Sequence, residues 1–258
     1  MKVNTIYNED CLVTMAKMQN NFIDLTVTSP PYDDLRTYNG YSFDFESIAK
    51  ELYRVTKYGG VVVWIVADAT IKGSETGTSF KQALYFKEIG FNLHDTMIWE
   101  KPTIPYDPKC NRYWNTFEYM FIFSKGKPIC NYIKIPCKNA GKLKTNDYGQ
   151  KRTDGSIRKH RHKADRKIKD TKVKSNIWKY GIGKRQKGHP ATFLEQLAND
   201  HIISSSNEND IVYDCFMGSG TTAKMAMLNN RNYIGSEISK EYCEIAKKRI
   251  EEIQPRLF

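Results

Sequence analysis

Two kinds of hydrophobic pattern alternate along the chain: short runs of β-branched and aromatic residues, and longer segments with apolar residues at helical spacing. This alternation is typical of α/β proteins. The longest apolar run, Val61–Ala67, is uninterrupted, which favours a strand buried on both faces by helices. Strands are predicted near Asp24–Ser29, Gly60–Val66, Thr96–Glu100, Tyr119–Ser124, Ile211–Phe216 and Tyr233–Glu237. Helices are predicted over Phe45–Thr56, Phe80–Ile89, Thr192–Ile203, Thr221–Asn229 and Lys240–Glu252.

The order of these elements predicts an α/β fold with a doubly wound, mostly parallel sheet. Lys57–Gly60 is expected to form the turn that ends the first helix and begins the most apolar strand, because it contains two glycines. Asn139–Ser175 is polar and has little apolar periodicity, so no element is predicted there. Such a composition is compatible with a segment that becomes ordered on its partner.

Length and composition limit the classes of protein. The 258 residues suit one large domain with an insertion, and 40% hydrophobic residues are enough for a core. An apolar run of seven residues is far too short to cross a bilayer. The N-terminus has no apolar signal region, so a cytoplasmic protein is expected. The six cysteines contain no CxxC pair, which argues against a disulfide scaffold and a zinc knuckle.

The positive charge is concentrated in one segment. Lys138–His189 carries 18 Lys/Arg and 4 Asp/Glu, a net charge of +14. The remaining 206 residues carry 22 basic and 25 acidic side chains, a net charge of −3. A local basic segment in a slightly acidic chain is typical of a protein that binds a polyanion such as nucleic acid. The alternative is a solvated basic loop without a partner.

A glycine-rich loop lies in Asp210–Thr222, between a predicted strand and a predicted helix. Gly218 and Gly220 allow the backbone to turn sharply and approach a ligand closely. Glu237 ends the next strand, 23 residues after Asp214, where an acidic residue can bind a ribose diol. Nicotinamide dinucleotide sites share this arrangement, but the Asp214 carboxylate would repel a pyrophosphate. S-adenosylmethionine, with its sulfonium and α-amine, fits this charge better.

The tetrapeptide Ser29-Pro30-Pro31-Tyr32 follows the first predicted strand. Two prolines make the segment rigid and remove two amide donors, so their carbonyls can accept hydrogen bonds from a ligand. A carbonyl acceptor, the Ser29 hydroxyl and the Tyr32 ring together suit the exocyclic amine of a planar base. A proline turn with a packed tyrosine is the alternative interpretation of this tetrapeptide alone.

Together these motifs resemble the exocyclic-amino DNA methyltransferases that use S-adenosylmethionine, in the permuted group whose catalytic motif comes first. The segments that carry the resemblance are Tyr7–Cys11, Thr28–Tyr38, Gly90–Lys101, Phe117–Gly126, Gly188–Phe193 and Asp214–Thr222. Cys215 and Leu194 depart from the family pattern, since each stands where proline is usual. The resemblance implies a Rossmann-like methyltransferase fold with a basic target-recognition insert.

The resemblance also implies roles for individual residues and boundaries for the parts of the chain. The catalytic residues would be Ser29, Pro30, Pro31 and Tyr32. The cofactor-binding residues would be Asp10, His189, Pro190, Asp214, Phe216, Gly218, Ser219, Gly220, Thr221 and Glu237. The DNA-binding residues would be Arg36, Lys142, Arg152, Arg158, Arg161, Arg166 and Lys172. The catalytic half would span 1–137, the target-recognition insert 138–187 and the cofactor half 188–258, with no metal.

A serine before Pro-Pro-Tyr resembles the cytosine-N4 enzymes, whereas aspartate or asparagine is more usual in the adenine-N6 enzymes. The expected activity is therefore methyl transfer to the N4 amine of a flipped-out cytosine in double-stranded DNA. Adenine-N6 methylation, an RNA substrate and a non-catalytic nucleic-acid-binding protein are the alternatives. We expect a prokaryotic or phage protein, monomeric or homodimeric, with a possible restriction endonuclease that acts separately.

Overall fold

The computed structural model describes residues 1–31, 43–102, 112–143, 150–151, 153–158, 167–181 and 194–253. The strands are β1 Thr5–Tyr7, β2 Ile23–Thr28, β3 Thr56–Val66, β4 Thr70–Ile71, β5 Ser74–Glu75, β6 Asn92–Glu100, β7 Phe117–Ser124, β8 Lys134–Pro136, β9 Gln150–Lys151, β10 Ile157–Arg158, β11 Thr171–Val173, β12 Ile177–Lys179, β13 Ile211–Asp214 and β14 Asn232–Ser236. The helices are α1 Cys11–Ala16, α2 Phe45–Val55, α3 Thr78–Glu88, α4 Glu195–Ser205, α5 Thr221–Leu228 and α6 Lys240–Glu251.

Eight of the described strands form one sheet in the order β1-β14-β13-β2-β3-β7-β6-β12. Neighbouring strands are parallel except where β7 pairs with β3 and β6, to which it is antiparallel. The chain proceeds from β2 to β3 on one side of the sheet and from β13 to β14 on the other. The boundary between β2 and β13 is therefore the topological switch point. The predicted doubly wound, mostly parallel α/β sheet is confirmed.

The local structure follows the apolar pattern and the capping residues. Val61–Val66 in β3 are all buried, as expected for a central strand covered on both faces. The Asp44 side chain begins α2 by accepting a hydrogen bond from the Ser47 amide at 3.2 Å. The buried face of α2 consists of Ile48, Ala49, Leu52 and Val55. Their helical spacing turns one side of α2 toward the core.

All the predicted strands and helices are present, with shifted ends, but five described elements outside residues 132–175 were not predicted. These are β1, α1, β4, β5 and β12, which are too short to show a clear hydrophobic period. The expected turn at Lys57–Gly60 is wrong, because β3 already begins at Thr56. The pairing with β2 instead jumps from Ile23–Thr56 to Leu25–Val61, with Gly59 at a φ of +84°. The two glycines therefore lie at an irregularity inside β3.

The chain divides into two compact units, one of them formed by 1–131 and 176–258 and the other by 132–175. In the smaller unit β8 pairs antiparallel with β11, and β9 with β10. A single bridge joins Leu143 to Lys167. The smaller unit overlaps the predicted insert 138–187, and the segment for which no element was predicted contains β9, β10 and β11. Among the described residues, no helix is long and apolar enough to span a membrane.

Candidate active site

Four adjacent parallel strands bring their carboxyl ends together at one edge of the large sheet: β1, β14, β13 and β2. The predicted functional residues at these ends are Asp10 after β1, Glu237 after β14, Asp214 in β13 and Ser29 after β2. Ligands of open α/β sheets bind outside the carboxyl ends of the strands at the switch point. The fold thus collects residues from the two ends of the chain at the edge where a ligand is expected.

Asp214 is the centre of this edge, and its side chain joins the two motifs. Its Oδ1 accepts hydrogen bonds from Thr28 Oγ1 at 2.7 Å and from the Phe216 amide at 3.0 Å. Its Oδ2 accepts one from Thr222 Oγ1 at 2.7 Å. Burial raises the pKa of Asp214 to about 6, although these hydrogen bonds favour the charged form. A carboxylate accepts about four hydrogen bonds, so these three leave one lone pair of Oδ2 unused.

Thr28 connects Asp214 to the start of the segment Ser29–Pro31. It ends β2, is fully buried, and is followed directly by Ser29 and Pro30. Thr28 and Asp214 are separated by 186 positions in the sequence. Because the Thr28–Asp214 hydrogen bond is short and buried, it fixes the start of the segment Ser29–Pro31 relative to the glycine-rich loop.

The glycine-rich loop is shaped by close packing against its neighbours. Gly218 and Gly220 have positive φ values of +50° and +82°, which favour glycine. A Cβ on Gly220 would lie 2.7 Å from the Cβ of Ala246 in α6. A Cβ on Gly235 in β14 would lie 2.2 Å from the Met217 side chain. A side chain at position 235 would therefore force Met217 of the loop to move, a constraint that the sequence motif alone did not show.

Glu237 holds the same loop from the other side. Its Oε2 accepts a hydrogen bond from the Gly218 amide and its Oε1 accepts one from the Ser239 amide, both at 2.8 Å. Burial raises the pKa of Glu237, and the two amides partly oppose that rise. Each carboxylate oxygen keeps a further lone pair, so Glu237 can still accept hydrogen bonds from a diol.

The edge strand β1 brings the segment that follows it, Asn8–Asp10, to the end of β14. The Tyr7 carbonyl at the end of β1 accepts a hydrogen bond from the Glu237 amide at 3.0 Å. The Asn8 side chain donates to the Glu237 carbonyl at 2.9 Å. Asp10 is exposed, and its Oδ1 accepts from the Leu12 amide at 2.7 Å as the N-cap of α1. Asn8 is a contributor that sequence reasoning missed, since a lone asparagine gives no signal.

Several predicted residues lie outside the described part of the chain. These residues are Tyr32, Arg36, Arg152, Arg161, Arg166, His189 and Pro190. Arg158 lies in β10, and Lys142 and Lys172 are exposed in the smaller unit. Ser219 and Thr221 are buried in the glycine-rich loop and at the start of α5. After β2, Pro30 is buried and Pro31 is partly buried. In the ranges that the structure describes, no group of three His, Cys, Asp or Glu side chains could hold a metal ion.

Comparison with known proteins gives a family for this arrangement. The model of the DNA methylase family matches residues 23–248. Orphan methyltransferase M.BamHII of Bacillus amyloliquefaciens is 59% identical over 238 residues, which cover 88% of each chain. Type II methyltransferase M.BglII of Bacillus subtilis is 27% identical over 95% of this chain and 68% of its own length.

Solved structures agree on the fold. The cytosine-N4-specific PvuII DNA methyltransferase superposes with a TM-score of 0.71 and 20% identity, over 99% of this chain and 91% of its own. The complex of M1.HpyAVI with S-adenosylmethionine gives a TM-score of 0.63 and 24% identity, over 95% and 98% of the two chains. Family membership and such complexes support S-adenosylmethionine as the cofactor. The predicted resemblance is confirmed: the chain belongs to the DNA methylase family and is a DNA methyltransferase of the N6/N4 type.

Proposed function

We propose that this methyltransferase transfers a methyl group from S-adenosylmethionine to the N4 amine of cytosine in double-stranded DNA. The observation that carries the proposal is the buried Thr28–Asp214 hydrogen bond at 2.7 Å. It holds Ser29, the residue that precedes Pro-Pro-Tyr, beside the glycine-rich loop. The PvuII enzyme, whose fold superposes on this chain, is cytosine-N4-specific, which also favours this base.

The described residues fit the proposed cofactor. Gly220 lies at a φ of +82° in a loop that brings backbone close to the sheet edge, as a nucleoside pocket requires. Asp214 and Glu237 supply two carboxylates with unused lone pairs at that edge. Carboxylates suit a ribose diol and a cationic ligand better than they suit a pyrophosphate. When it is bound, S-adenosylmethionine supplies a methyl group that is already activated as an electrophile.

The catalytic tetrapeptide then needs to orient the amine rather than to attack. The Pro30 carbonyl and the Ser29 hydroxyl are acceptors for the two N–H bonds of an exocyclic amine. Holding those N–H bonds turns the nitrogen lone pair out of the base plane, toward the incoming methyl group. The same acceptors stabilise the positive charge that develops on the nitrogen. Since the proton leaves after methyl transfer, no strong general base is required among these residues.

The basic segment serves as the contact to DNA in this proposal. We assign Lys142 and Lys172, both exposed, to the phosphate backbone, where they add affinity without reading sequence. Arg152, Arg158, Arg161 and Arg166 are assigned to base edges, because a guanidinium can bond guanine with two hydrogen bonds. Arg36 is assigned to DNA near the flipped base. The 59% identical relative is named an orphan methyltransferase, which favours action without a dedicated endonuclease.

Analysis of the methylated base tests the proposal directly. Duplex DNA is incubated with the protein and isotopically labelled S-adenosylmethionine, digested to nucleosides and analysed by mass spectrometry. N4-methyldeoxycytidine is the expected product, and N6-methyldeoxyadenosine would replace the cytosine assignment with the adenine one. Ser29→Ala should slow the transfer, whereas Ser74→Ala in the exposed β4–β5 hairpin is the matched control and should not. Absence of any labelled base would refute the proposed activity.

A further inference from the structure

Arg249 in α6 makes several hydrogen bonds to the glycine-rich loop, although it lies outside the motifs identified in the sequence. Its Nη1 donates to the Ser219 carbonyl at 2.6 Å, to Ser219 Oγ at 2.9 Å and to Thr221 Oγ1 at 3.3 Å. Its Nη2 donates to Glu195 Oε1 at 2.8 Å. Only 12% of the Arg249 side chain is exposed. A partly buried guanidinium with this many acceptors is held in one geometry.

Glu195, in α4, binds the Arg249 guanidinium of α6 and also contacts α5. The same Oε1 atom accepts a hydrogen bond from Lys224 Nζ in α5 at 2.6 Å. Burial works to raise the pKa of Glu195, but the hydrogen bonds and charges of Lys224 and Arg249 outweigh it and lower the pKa. Glu195 is the first residue of α4, and it closely follows the predicted cofactor residues His189 and Pro190. The network therefore ties α4, α5 and α6 to the loop.

The peptide between Ser219 and Gly220 is fixed at both of its polar ends. Its carbonyl is bound by Arg249, and its amide donates to the Met217 carbonyl at 3.0 Å. A peptide unit is planar, so two such contacts determine the orientation of the whole plane. One helical turn away, Ala246 packs where a Cβ on Gly220 would lie, 2.7 Å from the Ala246 Cβ. Ala246 and Arg249 share one face of α6 because they are three residues apart.

We propose that Arg249 is a positioning residue of the cofactor site, which it shapes by fixing the Ser219–Gly220 peptide while Glu195 holds its guanidinium. Arg249 binds the Ser219 carbonyl, so its effect on the ligand passes through the loop backbone. The inference rests on the proposed function, since it assigns the loop to S-adenosylmethionine. It predicts a defect in cofactor binding that is separate from the chemical step.

The test compares Arg249→Met with Arg231→Met, a matched control. Arg231 is also partly buried and donates to the carbonyls of Asn229 and Ser206, at 2.5 and 2.8 Å, but it lies just before the amino end of β14. Loss of charged hydrogen bonds should raise the Kd and KM for S-adenosylmethionine about tenfold in Arg249→Met, with kcat changed less than about twofold. Arg231→Met should lower the melting temperature and leave the Kd at the wild-type value.

Two further variants keep the proposal open to refutation. Arg249→Lys should recover only part of the affinity, because an ammonium cannot span the Ser219 carbonyl and Glu195 as a planar fork does. Glu195→Gln keeps the shape of the anchor but removes its charge, and it should raise the Kd even if Arg249→Met does not fold. Wild-type Kd values in both Arg249→Met and Glu195→Gln would overturn the proposal, as would an equal rise in Arg231→Met. Failure of the wild-type protein to bind S-adenosylmethionine would instead refute the proposed function.

Discussion

The buried carboxyl of Asp214 should make the stability of this protein depend on pH in a window that its pKa defines. Burial raises that pKa from 3.8 to about 6. Below about pH 4 the group is protonated in the folded and unfolded chains, and its contribution to stability is fully present. As the pH rises through about 6, the unfolded chain releases the proton first, so this contribution is lost.

The magnitude follows from the two pKa values. A carboxyl whose pKa rises from 3.8 to about 6 on folding binds its proton more tightly in the folded chain, by about 3 kcal/mol. The free energy of unfolding should fall by that amount between about pH 4 and pH 7, before other titrating groups are counted. Asp214→Asn removes the titration, because an amide stays neutral, and it keeps an oxygen that can accept from Thr28 and Phe216.

Denaturant unfolding of both proteins at a series of pH values measures the effect. The difference in the free energy of unfolding, wild type minus Asp214→Asn, cancels the other titrating groups that the two proteins share. This difference should be constant below about pH 4, fall by about 3 kcal/mol and become constant again above about pH 7. A difference that stays flat across this range would refute the reasoning that Asp214 is a buried carboxyl with a raised pKa.

Four further predictions concern binding and catalysis. Glu237→Gln should weaken binding of S-adenosylmethionine measured by calorimetry, by about 1.5–3 kcal/mol, because its bonds to the ligand lose their charge. Tyr32→Ala should slow methyl transfer in single-turnover assays, with cofactor affinity preserved. The activation free energy should rise by about 1–3 kcal/mol, the value of a lost base-stacking contact. Affinity for duplex DNA, measured by fluorescence anisotropy, should fall about 10³–10⁵-fold between about 50 and 200 mM salt if six to ten basic residues contact phosphates. Lys172→Ala should weaken all sequences alike, whereas Arg158→Ala should relax the choice of target.

Different outcomes would contradict the predictions for Glu237, Tyr32 and the arginines. Nonspecific DNA affinity should be unchanged in Glu237→Gln, and unchanged cofactor affinity in that variant would contradict the ribose assignment. Full single-turnover activity in Tyr32→Ala would mean that the base does not stack on this ring. If Arg158→Ala and the variants of the other three arginines assigned to base edges kept the target preference of the wild type, recognition would lie outside the basic segment.

The local sequence pattern was enough to predict the strands and helices that position the site. The uninterrupted run of β3 and the helical spacing in α2 identify a sheet buried between helices, because burial on two faces or on one leaves a distinct period in the sequence. The strand–glycine–helix order around Asp214 likewise predicted a ligand loop. Elements as short as β1 and β12 escaped prediction, since three residues are fewer than a period can establish.

The sequence by itself determined the α/β class, the basic segment and the resemblance to the DNA methyltransferases, since each depends on neighbouring residues. Only the tertiary structure decided which distant side chains meet. The Asp214 carboxylate accepts a hydrogen bond from Thr28, 186 positions away, and Arg249 in α6 donates one to the Ser219 carbonyl. Such contacts depend on the order of strands in the sheet and on how closely helices pack. A hydrogen bond forms only when its donor and acceptor lie within about 3.5 Å, a proximity that no local sequence pattern encodes for residues so far apart in the chain.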